Sequence, residues 1–395
     1  MLKKSVVKRK IFFLIVLISI VFVVFEFFAL LMPSIFQFSS KSAIFAAKLS
    51  LPESKLLLSE LNFNSNSALE GTSKKADDVF DVEFDGNEAS LFKSKEAASV
   101  VDFEPPFLIG PPRVIFSQTE MQQKNKGKDG PILRNCYKAN GSSGKIVELA
   151  KTAHVKNLTK LPNSVVEKAN KTKPSFVFDE KSAPQVLILH THATEAYELK
   201  EQNFYSNQVP SHSKNVKESV IGVGDEIASQ LEAAGVGVIH DKTMHDDPSY
   251  NGAYDRSNQT IRNYLAKHPS IKVVLDVHRD GIQNEKAERI APVVKINGRK
   301  AAQIMIISGC DNGSMHYPSY EKNLAFACFL QRNLEADYPN LTRPLLFKYK
   351  HYNQSLTPGS LLVEIGSNSN SVDEARFAGW LFGKSLAKSL KKLKK

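Results

Sequence analysis

Three short apolar runs in this chain each lead directly into a metal-ligating or carboxylate side chain. Val186-Leu187-Ile188-Leu189 runs into His190-Thr191-His192-Ala193-Thr194-Glu195, Val273-Val274-Leu275 into Asp276-Val277-His278-Arg279-Asp280, and Leu361-Leu362-Val363 into Glu364. Short apolar runs bounded by polar residues read as buried strands of a parallel sheet. In open α/β sheets, ligands gather beyond the carboxyl ends of such strands. The three runs therefore converge two imidazoles and two carboxylates on one sheet edge. That set of groups suits a zinc hydrolase.

The surrounding texture agrees with an α/β domain from 181 to 395. A strand at 185–190 precedes a helical pattern at 215–234, in which Val216, Val220, Val223, Ile227 and Leu231 recur at helical spacing. Gly235 stands where a helix C-cap is expected. A strand at 236–240, a helix at 256–267 and a strand at 272–277 follow. Asn297-Gly298 is a strong hairpin signal between 290–296 and 301–308. A helix at 320–336, a strand at 360–365 and a helix at 371–392 complete the alternation. It predicts a mostly parallel sheet flanked by helices.

The 395-residue chain begins differently. Residues 11–32 are almost wholly apolar, interrupted only by Ser19 and Glu26, and Lys3, Lys4, Lys8, Arg9 and Lys10 precede them. Such a run spans a hydrocarbon core of about 30 Å, and its basic flank keeps residues 1–10 cytoplasmic. A cleaved leader is the rival reading, but leader cores hold only about 7–15 apolar residues. The expectation is a retained transmembrane anchor with the remaining chain outside. Residues 33–180 are rich in Ser, Asn, Lys and Glu, with breakers at Glu104-Pro105-Pro106 and Gly110-Pro111-Pro112. They read as a flexible extracytoplasmic tether, with a local helix within 144–169.

Composition narrows the function. Three cysteines, Cys136, Cys310 and Cys328, exclude a disulfide framework and fit no metal knuckle. The net charge of +11 is spread along the chain and suits either an anionic wall or membrane surface or a solvated face. Nucleic acid is a poor partner for an exported domain.

The chemistry follows from the convergent residues. Hydrolytic zinc takes three protein ligands and leaves a fourth position for water. His192 and Glu195 form an H-x-x-E pair, and His278 comes from a neighbouring strand end. Glu364 stands where a further carboxylate would take the proton from water. His190 is the alternative first ligand, since two residues apart in a strand it shares the side of His192. Asp276 holds the same relation to His278 and is a natural acceptor for that imidazole. Arg279 reads either as a fork for a substrate carboxylate or oxyanion, or as the ion-pair partner of Asp280.

From Gln185 to Leu390 the chain resembles the stage II sporulation protein P family, membrane-anchored cell-wall amidases of endospore-forming bacteria. The resemblance rests on His190-Thr191-His192-Ala193-Thr194-Glu195-Ala196-Tyr197, Val238-Ile239-His240-Asp241-Lys242-Thr243 and Asp247-Pro248-Ser249-Tyr250-Asn251-Gly252-Ala253-Tyr254. Further along, it rests on Asp276-Val277-His278-Arg279-Asp280, the block from Ile296 to Met305, and Leu356-Thr357-Pro358-Gly359-Ser360 leading to Glu364 and Asn368. It implies a fold similar to zinc amidases and zinc carboxypeptidases, and a zinc-dependent N-acetylmuramoyl-L-alanine amidase with added endopeptidase activity. It implies Zn2+ on His192, Glu195 and His278 with Glu364 as base. Glu218 is the alternative ligand carboxylate, since other zinc amidases place theirs near the first helix. It also implies peptidoglycan as substrate, stage II sporulation proteins D and M as partners, and a place in the mother-cell membrane facing the septal wall. Rival readings are a carboxypeptidase or endopeptidase acting on stem peptides alone, and a scaffold that binds peptidoglycan without cutting it.

Overall fold

A computed structural model describes residues 110–123, 127–138, 145–179 and 183–394 of the protein. In chain order the elements are α1 (Gln118–Gln123), β1 (Gly130–Asn135), β2 (Ile146–Ala150), β3 (Ala153–Asn157), α2 (Asn163–Lys171), β4 (Val186–Leu189) and β5 (Phe204–Tyr205). Then come α3 (Val220–Ala233), β6 (Val238–His240), α4 (Ala253–Lys267), β7 (Val273–Asp280), β8 (Arg289–Ile296), β9 (Arg299–Ala302) and β10 (Ile304–Cys310). The last are α5 (Tyr320–Asp337), β11 (Leu345–Tyr349), β12 (Gly359–Ser367) and α6 (Val372–Lys391).

Strands β7 and β12 are buried from end to end, as their apolar runs Val273–Leu275 and Leu361–Val363 require. They sit inside an eight-stranded sheet of order β2-β3-β11-β10-β12-β7-β4-β6. The alternation of side chains divides its two faces. Val186, Ile188, Leu275, Val277, Leu361, Val363, Ile304 and Ile306 face a large core completed by α3, α5 and α6. Leu187, Leu189 and Val274 face the other way, against Ile261 of α4, while Met305, Ile307 and Leu362 form a further small cluster.

The sheet is mixed, which corrects the mostly parallel expectation. β12, β7, β4 and β6 run parallel to one another, and β3, β11 and β10 form a second parallel set. The two sets meet at the antiparallel pair β10–β12, and β2–β3 is antiparallel as well. Direction is set by the connections rather than by the strands' own composition. The Asn297-Gly298 hairpin turns the chain about with φ of 47° and 77°, and the reversed chain enters the sheet as β10. The hairpin arms are β8 and β9, which belong to a separate four-stranded sheet of order β5-β1-β8-β9. Gln303 breaks the second arm before β10 begins. Its buried side-chain amide donates to the carbonyls of Tyr137 and Asn340.

The tether expectation also needs correction where the structure describes it. Strand β1 pairs with β5 and β8, β3 pairs with β11, and α2 packs on α5. Between Gly110 and Asp179 the chain is thus part of the fold, not only a spacer. Ile132, Tyr137, Val147, Leu149, Val155, Val166, Phe176 and Phe178 are among the residues buried there, spaced widely enough to be diluted among polar neighbours in the sequence. The anchor at 11–32 and the tether at 33–109 lie outside the described residues. Among the described residues no helix is long and apolar enough to cross a membrane.

Candidate active site

Parallel pairing of β7 with β12 sets Glu364 beside His278 and Leu362 beside Asp276. Alternation then puts Asp276, His278 and Asp280 on the sheet face away from the large helical core. The β12 register shifts between Glu364 and Ser367, and Gly366 there has φ of 67°. A Cβ on Gly366 would stand 2.6 Å from Asn370 Oδ1. A bulge of this kind re-aims the chain next to the residue it follows. Glu364 and His278 are both buried.

Past the end of β4, residues 191–194 turn and carry His192 and Glu195 to the same place. Two carboxylates fix the turn. Asp276 accepts from the Thr191 backbone N–H at 2.8 Å and its hydroxyl at 2.6 Å, and Asp246 accepts from the Thr194 N–H at 3.1 Å and hydroxyl at 2.6 Å. Asp276 Oδ1 also lies 2.8 Å from His278 Nε2. One carboxylate therefore anchors both the histidine-bearing turn and the imidazole of the next strand. This leaves His278 Nδ1 directed at Glu195 Oε2, 3.4 Å away, and the same oxygen accepts from the Arg279 N–H at 3.0 Å. The His192 ring stacks on Tyr250, with centroids 4.1 Å apart and planes at 4°, and meets His278 edge-on at 5.4 Å.

The charges in this buried patch are strongly displaced. Burial raises the Glu195 carboxyl, but its hydrogen bond from His278 and the Arg279 charge outweigh that and hold it at about 2. Burial also opposes charge on Asp276, which its contacts with His278 and Thr191 nevertheless lower. His192 falls to about 4, first through burial and then through His278. Glu364 moves the other way: burial and the neighbouring Asp280 push it well above the usual carboxylate range. Both of its oxygens are buried without a hydrogen-bond partner among the described residues.

Among the described residues no three His, Cys, Asp or Glu side chains close into a ready-made metal cluster. The donor set nonetheless fits a divalent metal. Two ligands about 2.0–2.2 Å from one tetrahedral zinc stand roughly 3.4 Å apart, which is the separation of His278 Nδ1 from Glu195 Oε2. Asp276 behind His278 is the outer carboxylate that a ligating imidazole usually has. An unpartnered Glu364 beside them leaves a carboxylate for a water or substrate group.

Other expected residues are placed elsewhere. The strand ends at Leu189, so His190 does not share the side of His192. Its ring is fully buried beneath α3, Nδ1 donating to Val277 O at 2.8 Å and Nε2 2.9 Å from His240 Nε2. The close approach needs Gly224, where a Cβ would meet both rings. Arg279 is one residue out of phase with His278 and turns its guanidinium onto the carbonyls of Ala196 at 3.0 Å and Ser211 at 2.8 Å. It is a buried brace, not a fork open to substrate. Nor does it pair with Asp280, whose partner is Arg343 at 2.8 Å. Glu218 lies in the loop before α3, where Asn215 donates to its carboxylate at 3.0 Å. The carboxylates acting on His192 are Glu195 and Asp276.

Sequence reasoning missed Arg343, Tyr254 and Tyr352. Tyr254 meets the His192 ring edge at 5.6 Å and lies 5.7 Å from Tyr352. Its hydroxyl is buried and unpartnered among the described residues. Tyr254 stands in the first turn of α4 and Tyr250 lies before that helix, so no helical phase links the two. Arg343 sits in an irregular stretch that carries no periodic signal.

Comparison with known proteins adds the lineage. The sequence model of the stage II sporulation protein P family matches residues 95–387. The stage II sporulation protein P of Bacillus subtilis (strain 168) is 26% identical over 304 residues, 73% of this chain and 71% of that protein. Among solved structures, the CwlD amidase from Clostridioides difficile in complex with the GerS lipoprotein is 10% identical. Its match covers 53% of this chain and 99% of that one, at a TM-score of 0.33. A metallo-carboxypeptidase from Burkholderia cenocepacia is 7% identical, covering 60% and 70% at a TM-score of 0.31.

Proposed function

The chain belongs to the stage II sporulation protein P family, and on that footing we propose that it acts in sporulation as a zinc-dependent peptidoglycan hydrolase. The bond cut is the amide between N-acetylmuramic acid and L-alanine. The observation that carries the hydrolytic reading is Glu364: a buried, unpartnered carboxylate held in register beside His278. A scaffold that only bound glycan would have no use for so costly a group.

His192, Glu195 and His278 would hold the zinc, with His278 presenting Nδ1 because Nε2 is committed to Asp276. When bound, the metal supplies a Lewis acid that polarises the scissile carbonyl and acidifies its water. Glu364 would take a proton from the attacking water as its oxygen bonds to the scissile carbonyl carbon, and would return it to the L-alanine nitrogen as the C–N bond breaks, its raised affinity for protons fitting it for both transfers. The Arg279 N–H and the Arg279 charge keep Glu195 ionised and fixed. Tyr250, stacked on His192, fixes that ring's plane.

The enzyme works beside a membrane, held by the apolar run at 11–32 with the catalytic domain outside the cytoplasm, facing the septal wall from the mother cell. Stage II sporulation proteins D and M are its partners, and cleavage within the stem peptide is a second activity. Incubation with purified sacculi, followed by identification of the product ends, tests this reading. New N-terminal L-alanine is expected, together with glycan strands whose muramic lactyl carboxyls have been freed. Ends only within the peptide would make it a stem-peptide peptidase, and no ends a scaffold.

A further inference from the structure

A groove of about 750 Å³ lies along the β8–β9 hairpin and the start of α6, walled on one side by the chain from Arg113 to Met121. Arg113, Lys200, Lys295, Arg299 and Lys300 line it. So do Phe116, Met121 and Leu199. Its carboxylates are already engaged: Glu201 with Lys300 at 2.5 Å, Glu374 with Arg134 at 2.5 Å, and Asp373 accepting the Val114 N–H at 3.1 Å. Among the described residues Lys200 and Lys295 are exposed without an ion-pair partner, while Arg299 is held by the Pro111 carbonyl and the Phe377 ring. The groove is thus apolar at its base and cationic at its rim, with charge unanswered.

The same chain carries the complement. From Ala76 to Glu88 it reads Ala-Asp-Asp-Val-Phe-Asp-Val-Glu-Phe-Asp-Gly-Asn-Glu, with no Lys or Arg as far as Phe92. Within it Phe80-Asp81-Val82-Glu83-Phe84-Asp85 alternates apolar and acidic residues, a pattern that sends aromatics to one side of an extended segment and carboxylates to the other. The segment lies outside the described residues, and the described chain begins at Gly110, three residues before the groove wall at Arg113. Fully extended, the chain from Glu88 to Gly110 reaches at most roughly 75 Å, so nothing in covalent reach forbids the approach.

We propose that this groove is the docking site of the chain's own acidic segment Asp78–Asp85, with Phe80 and Phe84 on the apolar base and the carboxylates on the exposed Lys200 and Lys295. Covalent connection makes docking intramolecular, at a high effective concentration, so modest contacts suffice. Docking gathers the chain before Gly110 against the hairpin, and its strength falls as salt screens the rim.

The test places a photo-crosslinking benzoylphenylalanine at Phe84 in the full-length protein and maps the captured residues by mass spectrometry in the cross-linked monomer. Capture within the groove, centred on Phe116, Met121 and the hairpin, is expected. Reversing Lys200 and Lys295 to Glu should cut the yield at least about tenfold, and reversing Asp81 and Asp85 to Lys in that variant should restore it. Capture elsewhere, or a yield unmoved by charge reversal, overturns the proposal. So does an unchanged yield accompanied by weaker binding to sacculi, which would give the groove to the anionic wall polymer instead.

Discussion

Glu364 and His278 lie side by side on adjacent parallel strands, one residue of each to a rung. The pairing fixes their side chains on one sheet face at a spacing that backbone hydrogen bonds, not side-chain packing, maintain. Two side chains placed this way keep their relation whatever the loops beyond the strand ends do.

Replacing Glu364 with Gln should therefore leave the fold intact and remove the proton acceptor. Turnover on sacculi should fall roughly 10²–10⁴-fold. Melting temperature should hold or rise, because the amide removes the cost of burying an ionisable carboxyl beside Asp280. Differential scanning fluorimetry alongside product assay checks both halves; a large loss of stability would put Glu364 in a structural role.

Asp276→Asn tests the carboxylate behind His278. It accepts from Thr191 and lies against the His278 ring, so its loss loosens both. Zinc affinity should drop about 10–100-fold, read by competition with a chromophoric chelator. Affinity within twofold of the parent would show that the ring is positioned by something else.

The Asp280–Arg343 pair is almost fully enclosed, with side chains 0% and 4% exposed. Arg343→Met strands a buried carboxylate and should cost about 3–5 kcal/mol in urea unfolding. The double variant with Asp280→Asn should recover part of that loss. Equal loss in single and double variants would mean that Arg343 acts through packing alone.

Acid should loosen the domain through His190. Burial and the facing His240 hold its imidazole at about 3, below the open-chain value of 6.5. Between those limits the unfolded chain binds a proton that the folded chain refuses, so this contribution is present above pH 6.5 and lost as pH falls toward 3. Melting temperature should decline from pH 7 to 4.5, and less steeply in His190→Gln, as thermal scans across that range would show.

The strands that carry the site were legible because each is a run of apolar residues ending abruptly in chemistry. β4, β7 and β12 stand where those runs are, and the convergence of His192, Glu195, His278 and Glu364 followed from strand ends sharing an edge. Two misreadings share one cause, the phase of the chain at a strand's end. His190 was given the side of His192, though the turn at 191–194 cancels alternation. Arg279 reads from the sequence as a substrate fork or as the partner of Asp280, and both fail because a residue next to His278 within the same strand must face away from it. Direction was illegible too. Nothing in the composition of β10 says that it runs against β12; the hairpin before it does. Strands β2 and β3 were hidden because each offers only two or three buried apolar residues between lysines and glutamates.

The place of β3 in the sheet has a practical edge. It is hydrogen-bonded along β11, and β2 lies outside it as the last strand on that side. A fragment cut at residue 181, where the regular α/β texture begins, would strip both strands and leave β11 as a bare margin of unsatisfied amides, with Leu345 and Phe347 beside it uncovered. Such a fragment would seek other strands and precipitate, and its failure would be mistaken for a want of zinc or of a partner. The smallest piece that behaves as this enzyme begins before Gly130, upstream of a sequence that looks like linker.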